Sequence, residues 1–165
     1  MWSNAYAGAL LLLVGIESAL AVPEIPDSSL QDIAMASWYR GPLPGTPFYD
    51  GPVIYYNPSV VRSVGPELAS FFKAHEYCHV MLNHIERANF SGDPYSTAWI
   101  RQGLELEADT CAVRVRMGEN NPRVVRAALS FFINQGQSSA DANHPPGSVR
   151  AQTIYNAAMQ SRAPF

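Results

Sequence analysis

His75-Glu76-Tyr77-Cys78-His79 is the stretch on which the reading of this sequence turns. It lies in a run that opens at Pro66, a residue suited to the first turn of a helix, and keeps an apolar pattern to about Asn89. On a helix, positions i and i+4 lie one above the other, about 40° apart around the axis, so both imidazoles can reach one ion. Glu76 is rotated by about 100° from His75. It is badly placed to join the same ion and well placed to take a proton from a water beside it. The spacing therefore predicts a metal held by His75 and His79, with Glu76 as general base. Zinc suits these donors, and it lowers the pKa of water towards about 7.

A catalytic zinc needs a third protein ligand and an open position. The two other histidines are His84 and His144. His84 follows His79 by five residues, which on an unbroken helix turns it to the far side and gives it a structural or surface role. The segment Gly103 to Asp109 offers more. Glu105 and Asp109 share a helical face, while Glu107 points nearly opposite. A solvated acidic face is the plain alternative. Beside an H-E-x-x-H helix, Glu105 reads as the third ligand and Asp109 as a carboxylate that orients a ligand histidine.

Working outward, the chain has 165 residues, enough for one ordinary domain. Charged residues make up 15% against 47% hydrophobic, which excludes a mainly disordered chain. The net charge of −3 gives no reason to expect nucleic acid as a partner. Lys73 is the single lysine, so no polybasic membrane patch exists. Residues 1–21 read as a secretory signal: an apolar centre, then Ala19-Leu20-Ala21 as a small-x-small cleavage site, although the start carries no Lys or Arg. The apolar stretch Ala5 to Ile16 is too short to span about 30 Å of hydrocarbon, so no stable membrane anchor is expected. The expected product is a single domain, 22–165, exported to the periplasm or secreted.

Along that domain, Val22 to Asp27 reads as an extended leader. Ser28 to Tyr39 reads as a helix, Gly41 to Pro47 as a loop, and Phe48 to Tyr56 as a strand whose flanking Pro52 and Pro58 favour an edge position. Helices follow from about Ala98 to Met117, from Pro122 to Gly136, and from Ser148 to Ser161. Phe71, Phe72, Trp99, Phe131, Phe132 and Ile133 fall at core spacing. The expected fold class is α+β: mostly helical, with a small antiparallel sheet whose edge strand flanks the metal helix.

The sequence resembles the gluzincin peptidases of metallopeptidase family forty-eight, which includes CAAX prenyl proteases and bacterial heat-shock proteases. Three pieces carry the resemblance: His75 to His84, with its extra histidine; Glu105-Leu106-Glu107-Ala108-Asp109, similar to the family's E-x-x-A-D; and His144-Pro145 followed by Arg150. The resemblance covers roughly Gly51 to Thr153, most of the expected mature chain. The resemblance implies a soluble, minimal zincin-like domain and a zinc endopeptidase with a peptide or protein substrate. It implies one zinc on His75, His79 and Glu105, with Glu76 as base. It also implies that His144 and Arg150 approach the substrate or the developing oxyanion. A strand that pairs with extended substrate precedes the metal helix in that family. Val53 to Tyr56 stands in its place, which makes Tyr55 and Tyr56 candidate substrate contacts. A metal-stabilised module that binds peptide without cutting it is the alternative. Finally, a zinc shared between two helices packs them side by side, so Cys78 and Cys111 are either bridged or two buried thiols.

Overall fold

The computed structural model describes residues 22–88, 94–137, 141 and 143–161. The segment read as a signal, 1–21, lies outside the described residues. Among the described residues, three strands come first: β1 (Glu24–Pro26), β2 (Ala34–Leu43) and β3 (Thr46–Tyr56). Six helices follow: α1 (Pro58–Val64), α2 (Pro66–Met81), α3 (His84–Arg87), α4 (Pro94–Gly118), α5 (Pro122–Gln135) and α6 (Gly147–Gln160). The class is α+β, as the helix-rich pattern predicts. The sheet is mixed rather than antiparallel, because β1 pairs parallel to β3.

Two expectations about the sheet are corrected. Ser28 to Tyr39 is not a helix, and Gly41 to Pro47 is not an open loop. Both belong to a β2–β3 hairpin closed by a two-residue turn at Pro44-Gly45. Gly45 has φ +78°, the left-handed value that glycine adopts without a Cβ clash. Across the hairpin Arg40 faces Asp50, and its Nε and Nη2 donate to Asp50 Oδ2 at 3.0 and 2.7 Å. The Trp38 indole N–H donates to Asp50 Oδ1 at 2.7 Å, which leaves Trp38 half exposed on the strand.

The strand order is β1-β3-β2, so β3 is central and not an edge. The proline argument fails for a local reason. β1 pairs with Ile54 to Tyr56 only, and Pro52 lies before that span, with a neighbour strand on one side. A missing N–H there interrupts no ladder on the uncovered side. The free edge beside the helices is β2.

The helical layer holds the core. Phe71 and Cys78 of α2, Ala108, Ala112 and Val113 of α4, Val125 and Phe132 of α5 and Ile154 of α6 are buried together. Trp99 and Ile133 do not join them; they are 79% and 59% exposed. Cys78 and Cys111 form a disulfide with Cα atoms 6.0 Å apart, tying α2 to α4 across 33 residues. Gly147 opens α6 where a Cβ would sit 2.7 Å from the Phe132 carbonyl oxygen. That close approach brings the first turn of α6, with Arg150, against the end of α5. Among the described residues, no helix is long and apolar enough to cross a membrane.

Candidate metal centre

α2 and α4 pack side by side and bring three donors to one point. His75 Nε2 is 2.9 Å from His79 Nε2. Glu105 Oε2 is 3.2 Å from His75 Nε2, and Glu105 Oε1 is 3.2 Å from His79 Nε2. Two ligand atoms about 2.0–2.1 Å from a tetrahedral ion stand roughly 3.3 Å apart. The donor spacing thus fits a zinc-sized ion, and the set of two imidazoles and a carboxylate is the kind that leaves a fourth position open.

The surroundings fix how these donors point. His75 is 2% exposed, and its Nδ1 donates to Asp109 Oδ1 at 3.0 Å, leaving the Nε2 lone pair for an ion. Asp109, wholly buried, accepts two further bonds, from Arg150 Nε at 2.8 Å and Arg150 Nη2 at 2.7 Å. Arg150 lies over the Phe132 ring at 4.2 Å, and its Nη1 approaches Glu105 Oε2 at 3.5 Å. Burial raises the Asp109 carboxyl, but Arg150 and His75 outweigh it and hold the pKa below the usual range. Burial likewise opposes charge on His75. Glu105 and Asp109 outweigh it and raise His75 to about 10, so a proton and a divalent ion compete for the same lone pair. Glu105 is driven well below its ordinary value: burial opposes this, and the two histidines prevail.

Glu76 sits one residue on from His75 and is buried, beneath the sheet edge. Its Oε2 accepts the Ala36 N–H of β2 at 2.6 Å. Ala34 to Trp38 of β2 form one wall of a cleft of about 960 Å³ that also reaches His75, His79, Phe131 and His144. His144 lies in the loop before α6. Its Nδ1 donates to Asp141 Oδ2 at 2.9 Å, and the backbone N–H groups of Asn143 and His144 donate to Asp141 Oδ1 at 2.6 and 2.8 Å. Arg101 and Gln102 of α4 hold that loop through Asn143 Oδ1 and the Asp141 carbonyl, both at 2.8 Å.

Residues 33–161 match the family described as "Putative metallopeptidase domain". The chain belongs to that family. No curated protein and no solved structure matches it. The family match agrees with the centre just described and is broader than the likeness to family forty-eight, which rests on the three motifs.

Within this metallopeptidase-family domain, the sequence-predicted residues separate. His75, His79, Glu105, Glu76 and Asp109 come together, with His144 across the cleft. Arg150 is 6% exposed and engaged with Asp109, and it lines the same cleft behind the metal donors. Tyr55 and Tyr56 lie in the central strand and do not line the cleft; β2 takes the place expected for their strand. His84 does not point away. α2 stops at Met81, and Asn83 takes a left-handed φ of 57°. The turn brings His84 back beside His79, 2% exposed. Burial, then the neighbouring His79, lowers His84 to about 4. Asp141 is a cleft residue that the sequence reading missed. Its signal is Asp141 three residues before His144, the spacing of a side chain that caps its own turn.

Proposed function

We propose that this domain is a zinc-dependent endopeptidase of the family-forty-eight gluzincin type, exported, and acting on peptide or protein substrates. The observation that carries the reading is the convergence of His75 Nε2, His79 Nε2 and Glu105 within 3.2 Å of one another, with Glu76 lining the same cleft. His75, His79 and Glu105 would hold a zinc ion, which would supply Lewis acidity towards a carbonyl and towards water. Glu76 takes a proton from the attacking water and returns it to the leaving amine. The Ala36 N–H holds Glu76 in place while it does so. Asp109 and Arg150 keep the His75 lone pair aimed. His144, oriented by Asp141, reaches the cleft from the opposite side and stabilises developing negative charge.

An extended peptide adds to the free edge of β2, along Ala34 to Trp38, with its side chains alternating into the cleft and out of it. The Cys78–Cys111 bridge supports an oxidising compartment, and so supports export through segment 1–21. The test is digestion of a peptide library by the full chain, with a chelator and then with zinc restored. Cleavage that chelation stops and zinc restores is expected. Binding of library peptides without any cleavage would replace this reading with that of a non-cutting module.

A further inference from the structure

His84 has no part in the reaction as described, yet it is buried against a ligand of the centre. Its Nδ1 lies 3.1 Å from His79 Nδ1, with the rings edge-on at 79°. Its Nε2 lies 3.2 Å from Glu107 Oε2. Glu107 is clamped by Arg87, whose Nη1 reaches Oε2 at 2.6 Å and whose Nη2 reaches Oε1 at 3.1 Å. Four side chains thus form one hydrogen-bonded line from α4 to the metal site.

The direction of each bond follows from which groups can donate. The Arg87-bound carboxylate of Glu107 only accepts, so His84 Nε2 carries a hydrogen. A neutral imidazole with a hydrogen on Nε2 has its lone pair on Nδ1. That lone pair faces His79 Nδ1, which must then donate. His79 is left with its lone pair on Nε2, the atom that faces His75 and Glu105. The opposite arrangement puts a hydrogen on His79 Nε2 and closes that position to an ion.

We infer that His84 is a positioning residue that sets the tautomer of His79 through Glu107. This rests on the proposed zinc ligands. The two ligand histidines are then held differently: His75 by a buried carboxylate, His79 by a neutral imidazole. The break at Asn83 is what makes the second arrangement possible, since an unbroken helix turns residue 84 away.

The test uses the full chain and two measurements. Zinc affinity is measured by competition with a chromogenic chelator for wild type, His84→Phe and His79→Ala. Phenylalanine fills the space and offers no acceptor. We expect His84→Phe to bind zinc about 10–100-fold more weakly, the usual effect of losing a partner of a ligand histidine. Long-range nitrogen–proton NMR on metal-free wild type at pH 8 is expected to show His79 with its hydrogen on Nδ1, and a mixture of tautomers in His84→Phe. A His79 hydrogen on Nε2 in wild type overturns the inference without any variant. So does an unchanged zinc affinity in His84→Phe alongside lost binding in His79→Ala. If His79→Ala itself binds zinc like wild type, the ligand assignment fails instead.

Discussion

Replacing Asp109 by asparagine should be among the most damaging single changes in this domain. The side chain keeps its shape and loses its charge at a position with no exposed surface. Asp109 accepts from Arg150 at 2.8 and 2.7 Å and from His75 at 3.0 Å. Removing one partner of a buried ion pair costs about 3–5 kcal/mol, because the other charge is stranded. Three features favour the low end. Arg150 keeps Glu105 at 3.5 Å, keeps the Phe132 face at 4.2 Å, and finds one acceptor oxygen on the asparagine. We expect a loss of about 3 kcal/mol, a large share of the roughly 5–15 kcal/mol that holds a domain folded. Zinc affinity should fall about 10–100-fold as His75 loses its charged acceptor. Urea unfolding followed by circular dichroism reads the first quantity, and chelator competition the second. Adding Arg150→Met removes the stranded cation and lays a flexible apolar chain along Phe132, so the double variant should recover about 1 kcal/mol or more. The reasoning is refuted if Asp109→Asn changes stability by less than about 0.5 kcal/mol, the range of a neutral surface substitution.

Other consequences can be checked independently. Replacing Cys78 and Cys111 together by alanine should destabilise the domain by about 2–4 kcal/mol in denaturant unfolding, from the loop the bridge closes, and weaken zinc binding because α2 and α4 each carry proposed ligands. The raised pKa of His75, about 10, stabilises the metal-free fold fully below the unfolded histidine value near 6.5. That contribution disappears as pH rises through about 10, so metal-free protein should lose stability over this window. At pH 7.5, zinc should release about one proton per ion, read by calorimetry in buffers of different ionisation enthalpy. Ala36→Pro removes the N–H that goes to Glu76 rather than to β3; kcat/KM should fall at least tenfold with zinc affinity unchanged within about twofold.

The helical half of the fold was legible because its punctuation is local. Pro66 and Pro122 sit at first turns, and Gly136 follows the last turn of α5. The donors were legible because i and i+4 spacing on α2 and α4 needs only helix geometry. The sheet was not, because its evidence is non-local. Leu30, Ile33, Ala34 and Trp38 satisfy a helical period, and only pairing with β3 makes Ala34 to Leu43 a strand. The short β1 hides between Pro23 and Pro26, and its pairing is what turns β3 from an edge into the centre. His84 was misplaced by one residue's conformation: Asn83 in the left-handed region ends the helix and reverses the direction in which residue 84 points. Asparagine is a recognised helix stop, so the signal was present but competed with a continuing apolar pattern. Nothing in the sequence shows that α6 docks its first turn so that Arg150 meets Phe132 and Asp109.

The central claim is that Glu76 moves the proton in a metal-dependent cleavage. It is tested most directly by comparing wild type and Glu76→Gln at equal, verified zinc content in the peptide-library digest. The account predicts that both bind one zinc per chain and that cleavage by the variant falls below detection. Full cleavage by zinc-loaded Glu76→Gln would contradict it.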